Sequence, residues 1–251
     1  MSIKSLESLM KELRLKTASE ELRDILKEYK SNASLDWITD LLQREVDVRK
    51  EKALTNRIRR AKFPTLKSFE EFDWNFNKSI SKKKMADLSE LEFLKDNGIV
   101  LFLGQPGTGK THLAISIGIQ AVYAGKNVYW SSLKRLVEDI RKAKEKNDLS
   151  SLFKKILGSD LWILDDWGVV SMPRDIAEEV FDLLDRRQYC SSMILTSNRD
   201  IGEWPEVFED PVIASAAIDR IFDRANVSIF SGKSYRAEGN KNTEDKIIDI
   251  A

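Results

Sequence analysis

The chain has 251 residues, 42% of them apolar, and its 41 basic and 41 acidic residues cancel to zero net charge. That is room for one α/β core of ordinary size with a small appendage, and neutrality excludes a globally basic nucleic-acid coat while leaving local patches open. No apolar run is long enough to span a membrane, the N-terminus reads as an amphipathic helix rather than a signal peptide, and the lone Cys190 allows no internal disulfide, which together point to the cytoplasm.

The first sixty residues contain neither Gly nor Pro and read as helices. Leu6, Leu9, Met10 and Leu13 recur at helical spacing, as do Leu22, Ile25, Leu26 and Tyr29. Ser34 reads as the cap of a long helix carrying Leu35, Ile38, Leu41, Leu42, Val46, Leu54 and Ile58. Arg44, Arg49, Lys50, Lys52, Arg57, Arg59, Arg60 and Lys62 crowd that helix, so it could serve DNA, a partner or self-association. Phe63-Pro64 is the first punctuation, and we take 1–62 as a helical N-terminal domain. An aromatic connector (Phe69, Phe72, Trp74, Phe76) follows, and then a helix with Met85, Leu88, Leu91 and Leu94, so that 63–97 is a linker with a packing helix.

From Gly98 strands and helices alternate, which predicts a parallel α/β sheet over 98–237. The expected strands are Ile99–Leu103, Val128–Ser131, Leu161–Leu164, Met193–Thr196 and Val227–Phe230. Directly after the first, Gly104, Gln105, Pro106, Gly107, Thr108, Gly109, Lys110 and Thr111 fit G-x-x-x-x-G-K-[ST] at every fixed position. A strand feeding a Gly-rich turn that opens a helix aims backbone N–H groups at phosphate oxygens. Lys110 would reach the β- and γ-phosphates of ATP and the Thr111 hydroxyl would ligate Mg²⁺. His112, directly behind Thr111, reads as a pocket wall or a helix-packing residue rather than a metal ligand.

The third strand ends in Asp165-Asp166. Downstream of a phosphate loop, Asp165 would hold Mg²⁺ and Asp166 would orient and deprotonate the attacking water; solvated acids at a strand end are the plainer reading. The fourth strand ends in Thr196-Ser197-Asn198, where Asn198 would lie beside the carboxylates. Between the second and third strands, 133–157 is long enough for two helices. It carries Lys134, Arg135, Arg141, Lys142, Lys144, Lys146, Lys154 and Lys155 against Glu138, Asp139, Glu145 and Asp148, which by composition suits a nucleic-acid face or a solvated helix pair equally. No helix-turn-helix or zinc pattern is present, so little base readout is expected. The 238–251 tail is polar and reads as disordered.

Taken together, the phosphate loop, Asp-Asp strand, polar strand end and later Asp219-Arg220 helix resemble AAA+ ATPases of the initiator and helicase-loader clade. The similarity is greatest to the IstB family of transposition helper ATPases, relatives of the DnaC loaders. It covers Leu41-Leu42-Gln43 with the basic helix to Pro64, Gly109 to Ala114, Trp204 to Asp210-Pro211, Ile218-Asp219-Arg220 and Gly232-Lys233-Ser234-Tyr235-Arg236. The resemblance implies a P-loop NTPase with a small all-helical N-terminal domain and no C-terminal lid domain. It implies slow ATP hydrolysis, since Asp166 stands where many relatives carry Glu. It also implies head-to-tail homo-oligomers on double-stranded DNA and a transposase partner. Arg220 would be an arginine finger acting on the neighbouring protomer, and Arg236 a sensor of nucleotide. For Arg220 and Arg224, four apart beside Asp219 and Asp223, local i,i+4 ion pairs are the competing reading. Lys134, Arg135, Arg141, Lys142 and Lys144 would contact DNA. A DnaC-type helicase loader is the alternative; a small-molecule kinase is disfavoured by Asp165-Asp166, Asn198 and Asp219-Arg220, and a binding-only scaffold by the intact loop.

Overall fold

The computed structural model describes residues 3–15, 18–20, 22–24 and 36–238. Ile25, Leu26, Tyr29, the expected Ser34 cap, Leu35 and the tail over 239–251 lie outside the described residues. The chain divides into two compact units, Met1–Asn56 and Arg57–Ala251.

In the first unit, α1 (Ile3–Glu12) turns Leu6 and Met10 inward. They bury with Leu22, and Ile38 and Leu42 from α2 (Asp36–Ala61) pack against them. The four-residue spacing of Leu6 with Met10 and of Ile38 with Leu42 gives each helix one apolar stripe. Ion pairs close the rim: Lys50 to Glu12 at 3.1 Å, Arg49 to Glu45 at 2.6 Å and Arg23 to Glu7 at 2.6 Å. Arg49 also donates to the Leu13 carbonyl at 3.1 Å, so part of the basic crowding on α2 is spent inside the unit.

In the second unit, β1 (Ile99–Gly104), β2 (Val128–Ser132), β3 (Leu161–Trp167), β4 (Ser192–Ser197) and β5 (Ala225–Phe230) form one sheet in the order β2-β3-β4-β1-β5. Every pairing is parallel. The β1, β3 and β4 runs are apolar nearly throughout because both of their faces are covered. Helix α3 (Lys82–Ser89) precedes the sheet, and α4 (Lys110–Tyr123) leaves the glycine loop directly. Gly118 of α4 lies where a Cβ would come within 2.7 Å of Ile163 Cδ1 and 3.0 Å of the Phe63 ring. A second core joins α5 (Leu133–Glu145), α6 (Leu149–Leu157), α7 (Arg174–Arg187) and α8 (Pro211–Phe222) to Leu101, Tyr129, Trp162, Leu164 and Leu195. Trp167 and Trp204, with ring centroids 5.9 Å apart, fill that core beneath the ends of β3 and β4.

The expected two helices of 133–157 are α5 and α6. The helix expected through Leu94 ends earlier, at Ser89. Leu91 adopts a left-handed backbone (φ 63°), and one short turn at Glu92–Leu94 redirects the chain into β1. Asp210 caps α8 by accepting from the Val212 and Ile213 amides at 2.8 and 3.3 Å, with Pro211 at the first helical position.

Candidate nucleotide site

The strand order decides what meets at the carboxyl edge. Because β4 is inserted between β1 and β3, the residues at its end stand between the glycine loop and the Asp165 strand. The carboxyl ends of parallel strands are where such sheets present their ligand groups.

The loop from Gly104 to Gly109 is shaped by close approaches. A Cβ on Gly104 would sit 1.9 Å from the Phe230 carbonyl oxygen, so β1 can pass β5 only as glycine. Gly107 (φ 76°) leaves room for Ser234, whose Oγ would be 2.1 Å from an added Cβ. The Tyr235 amide donates to the Gly107 carbonyl at 3.0 Å, which lays the segment Gly232 to Arg236 against the loop. Gln105 and Pro106 are exposed at the loop crest, and Thr108 Oγ1 donates back to the Gln105 carbonyl at 2.8 Å.

Lys110 opens α4 and is 7% exposed. Its Nζ donates to the Gly104 and Gln105 carbonyls at 2.6 and 2.8 Å. Burial pushes its pKa down to about 8, opposed by the charges of Asp166 and Asp165, while the Arg236 guanidinium pushes it further down. That last effect places Arg236, which is itself exposed, within electrostatic reach of the loop. Thr111 Oγ1 donates to Asp165 Oδ1 at 2.8 Å, and Thr196 Oγ1 donates to the same oxygen at 2.6 Å. Asp165 is 3% exposed; burial raises its carboxyl above the usual range, and the two hydroxyl donors pull the other way.

Asp166 is exposed and adopts a left-handed backbone (φ 57°). Successive strand residues face opposite sides, so Asp165 points inward and Asp166 into solvent, and the β3–β4 register slips between Leu164 and Trp167. The Asp166 amide donates to Thr196 Oγ1 at 3.1 Å, which ties the bulge to β4. Asn198, the residue singled out from sequence, is exposed one residue past the end of β4, and its side chain makes no hydrogen bond among the described residues. Thr196 is the residue that the sequence reading passed over. Alternation does not separate the two, since 196 and 198 share a face; what separates them is where the strand stops.

The connector covers the loop from the other side. Phe72 lies over Gly109, where its Cε2 would be 2.5 Å from an added Cβ. Phe72 packs on Trp74 with centroids 4.7 Å apart and meets the His112 ring edge-on at 5.3 Å. His112 Nε2 is 2.7 Å from the Ser68 carbonyl oxygen, so the histidine pins the connector to α4. Phe76 meets Tyr235 edge-on at 4.9 Å.

The residues fit a nucleoside triphosphate and Mg²⁺. The glycine loop has no Cβ at the three positions where one would crowd it, and an ammonium group lies beneath it. A hydroxyl and a carboxylate 2.8 Å apart offer the oxygen ligands that a hard cation takes.

Arg220 lies on α8, where its Nε donates to Asp185 Oδ1 of α7 at 2.7 Å and its Nη1 to Asp219 Oδ2 at 3.2 Å. The expected shared helical face with Arg224 does not form, because α8 ends at Phe222 and Arg224 takes a left-handed backbone (φ 57°) beyond it. Among the basic residues of α5, Lys134, Arg141 and Lys142 are exposed. Arg135 is 3.9 Å from Asp139, and Lys144 braces α7 through Asp175 and Glu179, each at 3.3 Å.

Residues 8–243 match the family model of the IstB-like ATP binding proteins. The chain is 35% identical over 233 residues to the protein of insertion sequence IS21 from Pseudomonas aeruginosa, named as an ATP-binding protein, covering 92% of this chain and 88% of that one. It is 33% identical over 247 residues to the counterpart in insertion sequence IS232 of Bacillus thuringiensis subsp. berliner, covering 97% and 98%. Among solved structures it is similar to AMPPCP-bound DnaA from Aquifex aeolicus, with a TM-score of 0.55 at 18% identity, covering 74% of this chain and 56% of that one. The last similarity speaks to the fold alone, a five-stranded parallel sheet flanked by helices. With most of its length matched, the chain belongs to the IstB-like ATP-binding protein family.

Proposed function

We propose that this protein is an ATP-dependent, DNA-binding regulator of transposition that assembles on DNA with ATP and recruits or activates a transposase. The observation that carries the ATPase part is the convergence of Thr111 and Thr196 on one buried oxygen of Asp165, beside a phosphate loop with Lys110 beneath it. Thr111 and Asp165 would hold Mg²⁺, whose chemistry is to neutralise charge on the phosphates. Lys110 adds a fixed cation at the loop. Asp166, facing solvent and tethered through its amide, is the group to orient and deprotonate water, with Asn198 at the same edge. Arg236 reads the nucleotide from within the chain. Arg220 serves the site of the adjacent protomer in a head-to-tail assembly, since a heterologous contact pairs unlike surfaces.

Supporting the DNA part are the exposed Lys134, Arg141 and Lys142 on α5, with Arg135 partly engaged and Lys144 spent on α7. Contacts of this kind go to phosphates, so binding is indifferent to sequence and salt-sensitive. The insertion-sequence origin of the relatives supports the transposase part.

The test compares wild type, Lys110→Ala and Asp166→Asn for duplex binding and for capture of a transposase of the insertion-sequence type. Wild type should bind duplex only with ATP. Lys110→Ala should lose ATP and DNA binding together, while Asp166→Asn should keep both and lose turnover. Duplex binding unaffected by ATP, or capture of a replicative helicase in place of the transposase, would overturn the proposal.

A further inference from the structure

The sheet edge away from the glycine loop's strand carries a cluster that the nucleotide site does not use. Tyr129, in the outer strand β2, is 2% exposed, and its hydroxyl has no hydrogen-bond partner among the described residues. Two ammonium groups lie over its ring: Lys62 Nζ is 5.3 Å from the centroid and Lys155 Nζ 5.7 Å. They come from segments distant in sequence, the turn after α2 and the last turn of α6. The Arg135 and Asp139 charges also act on the Tyr129 hydroxyl, and those two side chains are 3.9 Å apart. Three cations therefore face one carboxylate, and that carboxylate is already engaged.

Such a grouping works against folding unless something offsets it. Like charges repel, and an aromatic face compensates an ammonium only partly. The Lys62 ammonium is accordingly held below its usual pKa, by burial first and by Lys155 next. Lys62 also takes a left-handed backbone (φ 62°) just past the end of α2, where glycine is the favoured residue. The chain thus places a long cation where the backbone alone favours no side chain. A buried hydroxyl without an acceptor costs free energy unless a ligand accepts its hydrogen bond.

We propose that Lys62 and Lys155, with Arg135 beside them and the Tyr129 hydroxyl as a neutral donor, form a binding site for a single phosphate group, supplied by the backbone of duplex DNA running along α5 and α6. The identity of the donor rests on the DNA-binding reading above; the phosphate chemistry does not. A phosphate oxygen accepts from two ammonium groups and a phenol at once, each bond strengthened by its charge.

Lys62→Gly suits the left-handed backbone and Lys155 is exposed, so the double variant should fold, as circular dichroism would confirm. Full-length wild type and variant, with saturating ADP to fill the glycine loop, are melted with and without millimolar inorganic phosphate at constant ionic strength. Phosphate should stabilise wild type more than Lys62→Gly/Lys155→Ala. In parallel, with ATP, the slope of log affinity for duplex against log salt should fall by about 0.9, one phosphate contact, in the double variant. Tyr129→Phe should weaken duplex binding about five-fold with the slope unchanged, as loss of one neutral donor predicts. If wild type bound no duplex but the phosphate difference held, the site would stand and the DNA reading would fall. A phosphate difference with an unchanged slope would overturn the DNA backbone as the donor. No difference in either arm would overturn the site.

Discussion

Replacing Thr196 by Val keeps the shape of the side chain and removes one oxygen that does two things at once. That oxygen donates to buried Asp165 Oδ1 at 2.6 Å and accepts from the Asp166 amide at 3.1 Å. Thr196 is 1% exposed and Asp165 3%, so water does not readily replace what is lost. A hydrogen bond to a charged group contributes about 1.5–3 kcal/mol, and an orphaned amide costs about 1 kcal/mol more, giving a loss of about 3 kcal/mol. Urea unfolding measures it directly, and the same loss lowers the melting temperature by about 6–12 °C for a unit of this size. Thr196→Ser retains both bonds and should cost about 1 kcal/mol, for the buried methyl alone. In a double-mutant cycle with Asp165→Asn, the Thr196→Val effect should shrink by more than 1 kcal/mol, because neighbours sharing a bond are not additive. A Thr196→Val loss no greater than that of Thr196→Ser would refute the reasoning, for the hydroxyl would then contribute nothing.

Gly107→Ala should weaken ATP binding at least tenfold in a nucleotide titration, since its Cβ would meet Ser234 Oγ at 2.1 Å and force the Gly232 to Arg236 segment off the loop. Adding Ser234→Gly should recover part of that loss, although the φ of 76° stays unfavourable for alanine. For the trans role of Arg220, Arg220→Ala and Lys110→Ala are each expected to be nearly inactive, yet an equal mixture should regain DNA-stimulated ATPase, since about one random interface in four joins a sound finger to a sound loop. Arg224→Ala, which alters no ion pair among the described residues, should turn over ATP nearly normally; no recovery in mixed assemblies confirmed by size would place Arg220 in its own chain.

The parts of the site that follow from adjacent residues were legible in the sequence. The glycine loop is one continuous segment whose strand and helix follow from apolar runs, and Asp165-Asp166 lie near the carboxyl end of an unmistakable buried strand. What depends on strand order was not legible. Nothing local says that β4 enters between β1 and β3, and so nothing local prefers Thr196 to Asn198. The bulge beside Asp166 is a register event between two strands, invisible in either one. The partner of Arg220 was missed for a related reason: Asp185 is 35 residues earlier, and only the packing of α7 on α8 brings it near. Lys144 is a residue whose type suited a DNA contact and which the fold also brings within 3.3 Å of Asp175 and Glu179, a pairing that only the packing of α5 on α7 reveals.

The Asp185 contact bears on whether Arg220 is available to a second protomer. Both side chains of the pair are about one-third exposed, so solvent screens the attraction and the contact does not lock the arginine in place. By contrast, an arginine placed on a transferring phosphoryl group raises the rate by roughly 10³–10⁵. The two uses need not compete, because a guanidinium carries five N–H donors in a rigid fork. Arg220 commits its Nε to Asp185 and its Nη1 to Asp219, while Nη2 makes no hydrogen bond among the described residues. Held through Nε and Nη1, the guanidinium keeps its Nη2 donors uncommitted and gives up less rotational freedom when it meets an anion than a loose arginine would. The Asp185 ion pair is therefore compatible with a finger held ready, with Asp185 as its positioning residue.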